Sequence, residues 1–228
     1  MRCVLYLCQV NHRRIFALIK KDVLLEWRQP FQSLSMVLYL LSTVYIVYLV
    51  FNAIIRPEVW VALFWITYLF GAMIISSRSF QRESGGRYFY FYTLCSPAEL
   101  MIAKLIFNAV IFGLLALLNW LLYAVFLGNA IFHNGVFFVL CLLAGLSFAG
   151  VLTLINGISV KVKNHPALSA ILGFPLMLPI LLVLLAGSAR AMVGADFSEI
   201  QAYIIALGGL SITTFLLSVI LFPFLWKE

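Results

Sequence analysis

The side chains able to do chemistry are few in this chain and far apart. Its three histidines are His12, His133 and His165; the last two fall at opposite ends of the apolar segment 136–160, so the three cannot form one site. His133 is the one histidine placed where it could act as an axial ligand to haem iron, against the plainer reading of a solvated loop side chain. Cys3, Cys8, Cys95 and Cys141 lack the close paired spacing, with His or Cys partners, that a zinc site needs. They are expected to be reduced thiols rather than a disulfide framework. No glycine-rich phosphate-binding loop of the GxxxxGK[ST] type is present, so ATP is not expected to bind this chain in that manner.

Acids and bases are absent from long stretches. Segments 31–55, 59–77, 105–132, 136–160, 167–189 and 200–226 contain no Asp, Glu, Lys or Arg. A helix needs about 20 residues to cross the hydrocarbon layer, and each stretch is long enough. With 64% hydrophobic and 10% charged residues, the chain reads as one integral membrane unit rather than a soluble domain. A protein coupled to an ion gradient usually holds ionisable groups inside its bundle. An intramembrane enzyme needs a catalytic cluster. Neither is expected in the six segments. A driven machine built from this sequence takes its energy from a separate subunit; a passive channel or an assembly scaffold is the alternative.

The charge pattern then orients the chain. With the N-terminus in the cytoplasm, every Lys and Arg of the 15 except Arg56 and Arg190 falls on the cytoplasmic side. The positive-inside rule places both ends there. The net charge of +7 follows from topology and from anionic lipid, and the scattered basic residues do not suit nucleic acid. The outer connections are short: Arg56-Pro57-Glu58, residues 128–135, and residues 190–199 with Asp196 and Glu199. The run 1–10 is expected to be a tail or an upstream start.

Residues 13–29 read as an amphipathic helix. Arg14, Lys21 and Arg28 recur every seven residues, and Phe16, Ile19, Val23 and Trp27 line another face. Such a helix lies in the membrane interface, with its basic side chains on lipid phosphates. It is either a generic juxtamembrane anchor or an elbow helix like those that introduce exporter subunits.

The connection 78–104 is the one substantial inner loop. Ser96-Pro97-Ala98-Glu99 is a helix start, with Ser as N-cap, Pro in the first turn and Glu closing a capping box. Upstream stand Arg82, Glu83, Gly85 and Gly86, then Arg87 and the aromatic run Tyr88-Phe-Tyr90-Phe-Tyr, followed by Leu94. An exposed aromatic patch of this size marks an interaction surface; insertion of the rings into the bilayer interface is the competing reading. Pro175 and Pro179 in the fifth span are a hinge or a static kink. Gly145, Ala149, Gly150, Gly208 and Gly209 suit close helix contacts, within one chain or across a homodimer.

Three segments carry a resemblance over residues 15–191: Leu18-Ile-Lys-Lys-Asp-Val-Leu-Leu-Glu-Trp-Arg28; Phe80-Gln-Arg-Glu-Ser-Gly-Gly86 with Ser96-Pro97 and Ala103-Lys104; and Gly173-Phe-Pro-Leu-Met-Leu-Pro-Ile-Leu-Leu182. In these the chain resembles the haem exporter protein B family (CcmB), ABC-2 type permeases of cytochrome c maturation. It departs from the family after Gly86, where Arg87-Tyr-Phe-Tyr-Phe-Tyr92 replaces Leu-Glu-Gln-Leu-like residues but keeps an apolar docking surface. The resemblance implies a permease subunit that is not itself an enzyme. It implies partnership with an ABC ATP-binding subunit, a haem-handling membrane subunit and a periplasmic haem chaperone. Haem would be cargo, and ATP would act through the partner. A permease for lipid or polysaccharide, with the same fold, is the alternative.

The expected architecture is thus an all-α, multi-pass protein of the bacterial inner membrane. Residues 1–30 form a tail and interfacial helix. Residues 31–226 form six transmembrane helices at about 31–55, 59–77, 105–127, 136–160, 167–189 and 200–222. Arg82, Glu83, Gly85, Gly86, Arg87, Tyr88, Tyr90, Leu94 and Pro97 form the ATPase-coupling loop.

Overall fold

The computed structural model of the chain describes residues 12–28, 30–52, 55–81, 96–161 and 166–226. The described residues are helical apart from short connections, with no strands among them. The helices are α1 (His12–Arg28), α2 (Pro30–Phe51), α3 (Pro57–Gln81), α4 (Pro97–Leu127), α5 (Asn134–Lys161), α6 (Pro166–Val193) and α7 (Phe197–Trp226). The last six each contain a span long and apolar enough to cross a membrane. In hydrocarbon every backbone donor and acceptor must be satisfied within the segment, so uninterrupted helices are the form such sequences take.

The helices do not stop where the charge-free segments stop. Charge does not end a helix; loss of backbone partners does. The first span ends at Phe51 rather than at residue 55, and Asn52 turns the chain with φ 46°. Asparagine tolerates that left-handed conformation better than most residues. At the other extreme, α4 begins at Pro97, as its capping box predicts, and runs through Lys104 into the third charge-free segment.

α5 is the central helix, packed against α4, α6 and α7 and also touching α3. Lipid tails are as apolar as leucine, so helices in a membrane are held by close packing and by hydrogen bonds rather than by a hydrophobic drive. Both devices are present. The α4–α5 crossing is tight at Gly145, where a Cβ would lie 2.7 Å from the Gly113 nitrogen. On α7, Ser218 Oγ donates to the Gly150 carbonyl at 2.8 Å, and the Ser147 and Ser211 hydroxyls lie 2.6 Å apart. Thus Gly145 and Gly150 serve contacts within one chain. Gly208 and Gly209 do not: a Cβ at either would meet nothing within 4 Å.

Polar side chains tie α3 to its neighbours. Trp65 Nε1 donates to Ser188 Oγ on α6 at 2.9 Å, and Asn119 Nδ2 on α4 donates to the Phe64 carbonyl at 3.1 Å. Asn156 on α5 donates to Ser76. Between these bonds the core of the bundle is aromatic: Trp60 stacks on Phe64 at 5.4 Å, with Tyr123 edge-on to both. Such edge and offset arrangements match negative ring faces to positive ring edges.

α6 passes through Pro175 and Pro179 as one assigned helix. Met177, Ile180 and Leu184 face the core, whereas both prolines are exposed. The rings therefore do not line the interior of the bundle.

Candidate functional site

The site is built outward from the first turn of α4, at the bundle end that also carries α1. Ser96 has extended backbone, and its Oγ accepts from the Glu99 amide at 3.3 Å. Glu99 Oε2 accepts in return from the Ser96 amide at 2.9 Å, with Pro97 in the first turn. The capping box read from the sequence is therefore formed, and it satisfies the Ser96 and Glu99 amides, while Pro97 has no N–H to leave unpaired. We expect Ser96→Ala to lower stability by about 1 kcal/mol, measured as a shift of the denaturation curve of the protein in detergent.

Two turns further on, α1 crosses α4. Ile15 and Leu18 pack on Leu100, Met101 and Leu105, together with Leu154 of α5 and Val219 of α7. The same stripe of α1 carries Asp22, which is 6% exposed. Its Oδ2 lies 3.2 Å from Lys104 Nζ, and Lys104 is 3% exposed. Its Oδ1 lies 3.2 Å from Lys21 Nζ, on its own helix. Arg14 approaches the buried Glu99 carboxylate at 3.9 Å. Just before the charge-free segment 105–132, Glu99 and Lys104 are buried in the first two turns of α4, where α1 covers them and brings counter-charges.

α1 has three working faces rather than two. Phe16, Val23 and Trp27 are exposed, as an interfacial helix requires, and Trp27 is 84% exposed. Ile19 instead joins the packing against α4. The Ile15, Leu18, Asp22 stripe was missed in the sequence. Its signal was a carboxylate at helical spacing within an apolar row, and the partner Lys104 is far away in sequence.

Behind this pair runs a line of buried amides and hydroxyls. Asn108, one turn after Lys104, donates from Nδ2 to Thr153 Oγ1 on α5 at 2.8 Å. Asn156, three residues on from Thr153, donates to Ser76 near the end of α3. Both stems of the connection between α3 and α4 are therefore tied into the bundle by buried polar contacts.

Of the residues expected to couple to a partner, Arg82, Glu83, Gly85, Gly86, Arg87, Tyr88, Tyr90 and Leu94 lie outside the described residues. Pro97 is in the first turn of α4. His133 is half-buried at the far end of the bundle. Its amide donates to the Ala191 carbonyl at 3.1 Å, its carbonyl accepts from the Phe137 amide, and its ring meets Phe132 edge-on at 5.0 Å. It thus starts α5 and docks the α4–α5 loop on the end of α6. Gly194, at φ 74°, admits the Phe132 ring there, since a Cβ would lie 2.9 Å from Phe132 Cδ1. Arg190 pairs with Glu199 across the same turn. Among the described residues no three His, Cys, Asp or Glu side chains gather as a metal site.

The meeting of Asp22 with Lys104 joins two of the segments that carry the family resemblance, Lys21-Asp22 and Ala103-Lys104. No curated protein matches the chain. The family model described as CcmB protein matches residues 13–225, a range that takes in α1 and nearly all of the six spans. On that match the chain belongs to the CcmB family, the permease component of an ABC system with an ATP-binding subunit, and is a membrane component of the haem exporter for cytochrome c maturation.

Proposed function

We propose that this permease receives the work of its ATP-binding partner on residues 82–95 and passes it to the far end of the bundle, where haem or a haem-loaded chaperone is handled. In this reading the protein lies in the bacterial inner membrane with both ends cytoplasmic, which the basic residues around α1 and the α3–α4 connection support. A haem-handling membrane subunit and a periplasmic chaperone complete the assembly. Closure of the partner on ATP pushes at Arg82, Glu83 and the aromatic run 88–92, and tilts α3 and α4. Haem crosses as cargo, or the same stroke releases the loaded chaperone.

One observation carries the reading. The stems on either side of 82–95 are held by buried contacts, Ser76 to Asn156 and Lys104 to Asp22, so displacement there is not taken up locally. Pro175 and Pro179 would let α6 bend as its neighbours tilt, since each removes one backbone hydrogen bond.

The test is purification of the tagged protein in gentle detergent, with identification of what accompanies it and an ATPase assay. A co-purifying ATPase is expected. Replacing Arg82, Glu83 or the aromatic run with alanine should abolish its association while membrane insertion is kept. Variants that still assemble and still support cytochrome c maturation would remove the coupling assignment. A solitary, folded protein without ATPase would favour a channel or scaffold instead.

A further inference from the structure

Apolar packing alone could hold α1 on α4. Ile15 and Leu18 already meet Leu100, Met101 and Leu105 there. A buried ion pair adds little to such an anchor, because taking both charges out of water costs about as much as their attraction returns. What the pair adds is direction. Each carboxylate oxygen of Asp22 faces one ammonium, Lys21 on its own helix and Lys104 on α4, both at 3.2 Å. A slide of α4 along α1 by one turn, about 5.4 Å, would pull Lys104 off the carboxylate. Leucine side chains at the same place would tolerate that slide.

Lys104 also stands in a particular position. It lies two turns into α4, on the face that four residues later presents Asn108 to Thr153. Any displacement of the α4 stem reaches Lys104 before it reaches the centre of the bundle. The exposed side of α1, with Phe16, Val23, Leu24 and Trp27, offers an apolar surface to the membrane interface. α1 is thus gripped by α4 on one face and suited to lipid on another.

We propose that Asp22 and Lys104 are positioning residues for energy coupling: the pair locks the register of α1 on α4, so that displacement of the α4 stem moves the two helices as one lever instead of being lost in sliding between them. This rests on the reading that residues 82–95 receive the ATP-binding partner. Neither residue is assigned a contact with that partner.

The experiment compares three proteins in the assembled complex: wild type, the apolar pair Asp22→Leu/Lys104→Met, and the exchanged pair Asp22→Lys/Lys104→Asp. The apolar pair removes both buried charges together and takes Asp22 only from Lys21, whose side chain is 29% exposed, so it is expected to fold and assemble. The readout is cytochrome c matured per ATP hydrolysed, per assembled complex, beside ATPase rate and melting temperature. For the apolar pair we expect ATPase within about twofold of wild type and at least a tenfold loss of maturation per ATP. For the exchanged pair we expect recovery to within about threefold of wild type. A purely structural role would lower the amount of complex and leave the ratio unchanged. An apolar pair with the wild-type ratio would therefore overturn the proposal, as would an exchanged pair that assembles but stays uncoupled. An apolar pair that fails to fold would also overturn it, by showing the ion pair to be an anchor. Absence of an ATPase from the wild-type preparation would instead refute the underlying reading.

Discussion

Gly145→Ala should cost about 3 kcal/mol of stability, the upper end of the usual range for overpacking a filled core. The added Cβ would sit 2.7 Å from the Gly113 nitrogen and 2.9 Å from its Cα. These are backbone atoms of α4, so no rotamer change can make room, and the two helices must separate along their whole contact. The expected result is asymmetric. A Cβ at Gly113 meets only Leu142 Cδ2, at 3.8 Å, an ordinary van der Waals distance. Gly113→Ala should therefore stay near wild type, although the two glycines face the same crossing. Gly208→Ala, with nothing within 4 Å, is the control and should be neutral within about 0.5 kcal/mol. Reversible denaturation in mixed micelles measures all three. A Gly145→Ala protein as stable as Gly208→Ala would show that the α4–α5 crossing is looser than described.

Asp22→Ala is the second large effect, expected at about 3–5 kcal/mol, because it removes one partner of a buried ion pair. It takes the Asp22 carboxylate away from Lys104, which is 3% exposed, and from the more accessible Lys21. The reverse deletion should be milder. In Lys104→Met the Asp22 carboxylate keeps Lys21 at 3.2 Å, and the methionine refills most of the lysine stem. The order Asp22→Ala worse than Lys104→Met, read from the same denaturation measurement, is the sharp form of the prediction. Equal losses would show that Lys21 does not hold the carboxylate. If Asp22→Ala costs under about 1 kcal/mol, the pair is solvated like a surface ion pair.

Much of the architecture could be read before any coordinates. The six spans follow from the absence of charge over lengths that only a membrane tolerates. The start of α4 follows from Ser96, Pro97 and Glu99, because a capping box is a contact between residues three apart. The exposed apolar face of α1 follows from Phe16, Val23 and Trp27 recurring at helical spacing. The same reasoning failed where a residue's partner is distant. The helix running through Lys104 is legible from its capping box, but its counter-ion is not, because that belongs to another helix. The sequence places Arg190 among the outer charges without naming its partner, and it pairs with Glu199 where Gly194 turns the chain back. The paired glycines of α7 suit a close helix contact by type, yet a Cβ at either would meet nothing within 4 Å among the described residues.

The division has a physical cause. Helix formation, capping and transfer into lipid depend on local spacing and composition, so the sequence by itself determined an all-helical membrane protein of six spans with a basic end. Which small residue meets which backbone, and which lysine meets which carboxylate, depends on the rotation of each helix about its own axis. In a bundle whose helices are apolar nearly all round, composition leaves that rotation open. Only the tertiary structure decided it, through Gly145 against Gly113, Asn156 with Ser76, and Asp22 with Lys104.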